Sequence, residues 1–183
     1  MHVEEVFLKG LKFENLMLSF NDGYIDEYSC SNFKEKEENE KYIKDNILYS
    51  HNTLPMGEFA IGTNTTAYAM AQKFKITHLL PILIVEKMGP HFAIGDTCYS
   101  WEEDEHIYNP LNRKEIVAKE NEKSAKRHEN INEAYTNCHT DITLPYNGIE
   151  SIDVILKDKS KIKIIKDGRF VLKGAEELND ALD

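Results

Sequence analysis

Leu11-Lys12-Phe13-Glu14-Asn15-Leu16-Met17-Leu18-Ser19-Phe20-Asn21-Asp22-Gly23-Tyr24-Ile25-Asp26-Glu27-Tyr28 reads as two runs of rough apolar and polar alternation joined through Asn21-Asp22-Gly23. Alternation is the two-residue period of a strand, and an Asn-Asp-Gly turn between such runs is a strong hairpin signal. Val6-Phe7-Leu8-Lys9-Gly10 leads directly into the first run, so the chain opens inside a sheet, as a chain also does when something N-terminal to it has been removed. Near the other end, Lys166-Asp167-Gly168 joins the strand-like runs Lys161–Ile165 and Arg169–Leu172 in the same way. Hairpins at both ends set the expected class: α+β, a largely antiparallel or mixed sheet with a few packed helices.

Between the hairpins, Phe33–Leu48 carries Phe33, Tyr42, Ile43 and Ile47 among charged residues and predicts a solvent-exposed helix with a thin apolar stripe. The Gly62-Thr63-Asn64 cluster can cap a helix over Thr65–Phe74. Leu79–Val85 is continuously apolar and predicts a buried strand. Gly89-Pro90 permits a sharp turn that delivers His91 at the start of a further strand. The segment 102–134 is polar and reads as an insertion outside the core of a single domain spanning 1–183. Ile152–Leu156 predicts a strand, and Ala175–Leu182 a short terminal helix.

Composition narrows the function classes. A formal charge of -10 repels phosphate backbones and anionic lipid, so nucleic acid and membrane surfaces are not expected partners. The longest apolar run, Leu79–Val85, is too short to span a bilayer. Cys30, Cys98 and Cys138 have no C-x-x-C spacing, which points away from a disulfide framework and toward a reducing, cytoplasmic setting. No P-loop, G-x-S-x-G or H-E-x-x-H pattern is present.

The chemistry gathers in Asn137-Cys138-His139-Thr140-Asp141. On a strand, residues two apart share a face, so His139 and Asp141 present a nitrogen and an oxygen ligand side by side while Cys138, Thr140 and Ile142 face the other way. Glu58 and His91 also stand on or beside apolar segments, where a charged side chain needs a partner or a metal. Histidine and carboxylate ligation without thiolate suits a hydrolytic zinc, cobalt or manganese centre. Taken singly, each has a plainer reading: Glu58 as a cap, His91 as a turn histidine, and His139 with Asp141 as a mutual hydrogen bond.

Three blocks carry a resemblance: Leu54-Pro-Met-Gly-Glu-Phe-Ala-Ile-Gly-Thr-Asn64, Glu86-Lys-Met-Gly-Pro-His-Phe-Ala-Ile-Gly95 and Asn137-Cys-His-Thr-Asp141. In order and character they resemble the motifs of the thermophilic aminopeptidase T group of metallopeptidases, over most of this chain. The resemblance implies a cocatalytic pair of divalent ions, zinc, cobalt or manganese, held by Glu58, His91, His139 and Asp141, which hydrolyses the N-terminal residue from a peptide with a free amino terminus. It implies Glu86 as a group behind the ligands or a proton carrier, Tyr99 as a stabiliser of the carbonyl or intermediate, and a homodimer. Family members carry in addition an N-terminal α/β domain and an upstream glutamate that bridges the metals, and the chain aligns with the part after both. The expectation is therefore a metal-dependent aminopeptidase or its C-terminal metal-binding portion; the alternative is an inactive metal-binding or dimerisation module.

Overall fold

The computed structural model describes residues 1–97, 107–108, 110–116 and 121–183. Tyr99 and Cys98 lie outside the described residues, as does part of the 102–134 segment. The architecture is α+β: three small antiparallel sheets, a two-stranded ribbon and a few short helices.

The opening sheet is a meander of β1 (His2–Leu8), β2 (Leu11–Asn21) and β3 (Tyr24–Ser29). Both turns are two-residue loops with positive φ at each position, Lys9 and Gly10 in the first and Asp22 and Gly23 in the second. That geometry matches the right-handed twist of the strands and is why the Asp-Gly signal fixes the register. Phe13, Leu16 and Leu18 of β2 are fully buried. They share one core with Ile43, Ile47, Leu48, Leu54, Ile94 and Ile142.

The helix expected over Phe33–Leu48 starts later. It runs as α1 (Lys36–Ile43) and widens into a π-helical turn over Lys44–Leu48. Asn39 explains the late start: its side chain accepts from the Phe33 N–H at 2.9 Å and donates to the Phe33 and Glu35 carbonyls at 2.8 and 3.1 Å, holding the lead-in as an irregular turn. Then come β4 (Met56–Ile61) and α2 (Thr65–Phe74), the latter at the expected bounds. Asn64 caps it by accepting from the Ala67 N–H at 3.0 Å, and Lys75 closes it in the left-handed conformation.

Leu79–Val85 is not a strand. Thr77–Leu79 is a 3-10 turn, and Ile82–Val85 forms the one-turn helix α3. Pro81 stands just before α3 with φ -58 and has no N–H to give a sheet ladder. Its carbonyl accepts from Ile84 and Val85 instead. Far from being buried, Leu79 and Leu83 are 69% and 68% exposed. A short apolar run has no period that separates strand from helix, which is why its pattern misleads.

The remaining elements are β5 (Pro90–Gly95), β6 (Ile107–Tyr108), β7 (Glu115–Ile116), α4 (Ile131–Ala134), β8 (His139–Thr143), β9 (Ser151–Ile155), β10 (Lys161–Lys166) and β11 (Arg169–Phe170). β9, β10 and β11 form the closing sheet. The helix expected over Ala175–Leu182 is a 3-10 turn at Glu176–Asn179. The central sheet has the order β4-β5-β8, which brings together three segments far apart in sequence. Among the described residues no helix is long and apolar enough to cross a membrane.

Candidate metal centre

The central sheet places the sequence-derived candidates in three rows. On one row Glu58, Ala93 and Asp141 are register partners across β4, β5 and β8. Two residues along, Ala60, His91 and Thr143 form the next row, and on the other side Gly95 pairs with His139. Register partners share a face, so His91 and His139 flank the two carboxylates on one surface. The opposite surface of β8 turns Cys138 and Ile142 into the main core. Ala93, between the two carboxylates on that row, contributes only a methyl group there.

Gly95 sets the approach of β5 to β8. It holds φ +104, and a Cβ there would lie 2.0 Å from the Cys138 carbonyl oxygen. The bend that follows positions Asp96, whose carboxylate accepts from the Thr136 N–H and hydroxyl, both at 2.6 Å, and from the Asn137 N–H at 2.9 Å. That clamp fixes the chain immediately before His139. Gly62 does the same for Glu86: a Cβ at Gly62 would meet the Glu86 carbonyl oxygen at 2.4 Å, so only glycine lets the end of β4 lie against the turn that carries Glu86.

Distances close the cluster. His91 Nε2 lies 3.2 Å from Glu58 Oε1, and His139 Nε2 lies 3.9 Å from Glu58 Oε2 and 3.3 Å from Asp141 Oδ1. The ligand atoms of Glu58, His139 and Asp141 all lie within 4.8 Å of one another, and so do those of Glu86, His91 and Asp141. Asp141 is thus common to two groups, each completed by one imidazole and one glutamate. His91, Asp141 and Glu86 are buried; Glu58 and His139 are partly accessible. Tyr99 falls outside the described residues, so its place relative to the cluster is not part of the geometry.

Both imidazoles are preset as Nε2 ligands. His91 Nδ1 stands 3.1 Å from the Gly89 carbonyl and His139 Nδ1 stands 2.6 Å from the Asp96 carbonyl. A carbonyl only accepts, so each Nδ1 carries a proton, which leaves Nε2 as the nitrogen that faces the carboxylates and that would ligate a bound ion. Such an outer hydrogen bond is the usual device for orienting a ligating histidine.

The electrostatics ask for a cation. His139 Nε2 lies 3.3 Å from Asp141 Oδ1, an ion pair when the ring is protonated, and this buried oxygen makes no hydrogen bond of good geometry among the described residues. Asp141 raises the His139 pKa from 6.5 to about 9 against the opposing effect of burial, with help from the Asp96 carbonyl and the charge of Glu58. Burial pushes the Asp141 carboxyl up, but His139, Glu86 and His91 outweigh it and leave the group below its ordinary value. Outside the cluster, Lys87 Nζ reaches Glu86 Oε1 at 2.5 Å. An orphaned carboxylate oxygen, two aimed imidazole nitrogens and two further carboxylates form a donor set that fits a divalent ion.

The structure brings the side chains of Glu58, His91, His139 and Asp141 together. Glu86 stands closer than expected, at ligand distance itself. Asp96 was not legible as a participant; its signal is the Gly95-Asp96 pair directly after a candidate strand. No protein-family model, curated protein or solved structure matches the chain.

Proposed function

We propose that the chain is a metal-dependent hydrolase of the aminopeptidase type, acting on peptides with a free N-terminus at a centre for two divalent ions, zinc, cobalt or manganese. The observation that carries this reading is the sharing of Asp141 between two ligand groups, one with Glu58 and His139, the other with Glu86 and His91. A carboxylate common to two ligand groups would let the chain hold two ions close together, the arrangement that two-metal hydrolysis calls for. The peptide specificity comes from the resemblance of the three sequence blocks to aminopeptidases of the thermophilic T group.

Divalent ions bound there supply Lewis acidity, polarising a substrate carbonyl and making water a nucleophile near neutral pH. The chain's residues do the rest. Substrate would enter at the accessible side of the cluster, where Glu58 and His139 are partly exposed. Glu86, buried and paired with Lys87, would complete the second ligand group with His91 and Asp141 in this reading. The Gly89 and Asp96 carbonyls hold the imidazoles in one tautomer throughout.

The test is hydrolysis of leucyl-p-nitroanilide by protein stripped with chelator and reloaded with zinc, cobalt or manganese. The reading expects turnover that disappears on chelation and in Glu58→Gln; turnover that survives chelation contradicts it. A second reading, a metal-binding module that self-associates and does not catalyse, is favoured by the exposed apolar side chains of Phe74, Leu79 and Leu83. It expects bound metal and a dimer in solution with no turnover of any unblocked peptide.

A further inference from the structure

Beside His139 lies a cavity of about 580 Å³, lined by Lys9, Tyr49, Ser50, Asn137 and Cys138 among others, and we propose that it is a carboxylate-binding subsite in which Lys9 meets a carboxylate of the substrate. The proposal rests on the aminopeptidase reading for its substrate, a peptide whose amino end faces the ligand cluster. His139 belongs to both places: its Nε2 faces Glu58 and Asp141, and the residue is among those that line the cavity. The two places are therefore one residue apart, and a ligand that spans His139 would touch both. The volume is in the range that accommodates small organic ligands.

Charge selects the ligand. The chain carries 32 acidic against 22 basic residues, yet among the described residues the cavity is lined by one lysine and by no aspartate or glutamate. Asp96 lies nearby, but its carboxylate is engaged by Thr136 and Asn137. His51 is held at the Thr136 carbonyl at 3.0 Å. Among the described lining residues, Lys9 is the cation left to a ligand. Its Nζ donates to the Tyr49 hydroxyl at 2.6 Å, which orients the ammonium and leaves two of its three N–H donors without partners among the described residues. An exposed ammonium oriented by Tyr49, beside a space that Ser50 and Asn137 also line, matches a carboxylate.

The rim is held in place by its backbone. Lys9, Tyr49 and Asn137, three of the lining residues, all have positive φ, at 50°, 54° and 58°. Side chains rarely tolerate that region, and clusters of such residues mark sites where the surrounding fold enforces a conformation. For Lys9 the hairpin turn into Gly10 enforces it; for Asn137 it is the Asp96 clamp.

Two carboxylates of a peptide can serve: the side chain of an acidic N-terminal residue, or the main-chain carboxylate of a dipeptide. Binding to the zinc-loaded chain is measured by calorimetry for glutamic acid α-amide, for leucylglycine and for leucinamide, which carry the first, the second and neither. At least one of the first two is expected to bind about tenfold or more tighter than leucinamide. Lys9→Met should collapse that ratio and Lys9→Arg should keep it. Equal binding of all three, binding of none, or a ratio unmoved by Lys9→Met overturns the proposal. Binding needs no turnover, so a Lys9-dependent preference without peptide hydrolysis sinks the peptidase reading alone, and hydrolysis without the preference sinks the subsite alone.

Discussion

Replacing Asp141 by asparagine removes the one carboxylate that belongs to both ligand groups, while replacing His139 by glutamine removes a donor from one group only. The two substitutions are similar in size, so their difference in metal content isolates the sharing. Outer hydrogen-bond partners of metal ligands typically contribute about 10–100-fold in affinity, and a direct charged ligand contributes more. Asp141→Asn should therefore weaken both sites by well over about a hundredfold, leaving no ion after dialysis. His139→Gln should keep one, held by Glu86, His91 and Asp141. In the stripped chain Asp141→Asn has a second signature. Asp141 is the largest cause of the raised His139 pKa, so the value should drop from about 9 toward 6.5 in the variant, read by NMR titration of the imidazole protons. Metal content by elemental analysis and the titration together decide the matter. Equal loss of metal in both variants, or a His139 titration unmoved in Asp141→Asn, would refute the shared-carboxylate geometry.

Stability of the stripped chain should follow pH in a defined sense. Folding raises the His139 pKa, so its contribution is complete below 6.5 and is lost as pH climbs through about 9. After allowance for solvent screening of a partly exposed ring, this amounts to about 1–2 kcal/mol, measurable by urea unfolding. Asp141 is depressed, so its contribution is present above 3.8 and fades on acidification below that. Gly95→Ala should cost about 3 kcal/mol or more in the same assay, because the new Cβ meets the Cys138 carbonyl at a position with φ +104. Asp96→Ala leaves the Thr136 and Asn137 N–H groups without their acceptor and should cost about 2–3 kcal/mol and weaken metal binding through His139. Leu83→Ser, by contrast, should change stability by less than about 0.5 kcal/mol, since the side chain is 68% exposed; a large loss would restore the buried-strand expectation for Leu79–Val85.

The fold was legible where local chemistry decides it. Asp22-Gly23 and Asp167-Gly168 occupy positive φ in two-residue turns that few other pairs could make, and Asn64 caps α2 at the residue its type suggests. Reading failed where a short apolar run offered no period, and Pro81 together with exposure of Leu79 and Leu83 made it helical instead. At the site, His139 and Asp141 share a face because they are two apart on one strand, which a sequence displays directly. That Glu58 and Asp141 stand on one row across Ala93 depends on the order β4-β5-β8, and no local signal specifies which strands pair across such separations. The same holds for Glu86, brought in by the close approach at Gly62, and for Lys9, which reaches the His139 cavity from a hairpin turn at the far end of the chain.

The most direct test of a two-ion peptidase centre is the rate of leucyl-p-nitroanilide hydrolysis by the stripped wild-type chain as cobalt is added in stoichiometric steps. The shared-carboxylate centre predicts turnover that rises with metal and saturates at two ions per chain. Absence of turnover at every ratio, with cobalt bound, would contradict it.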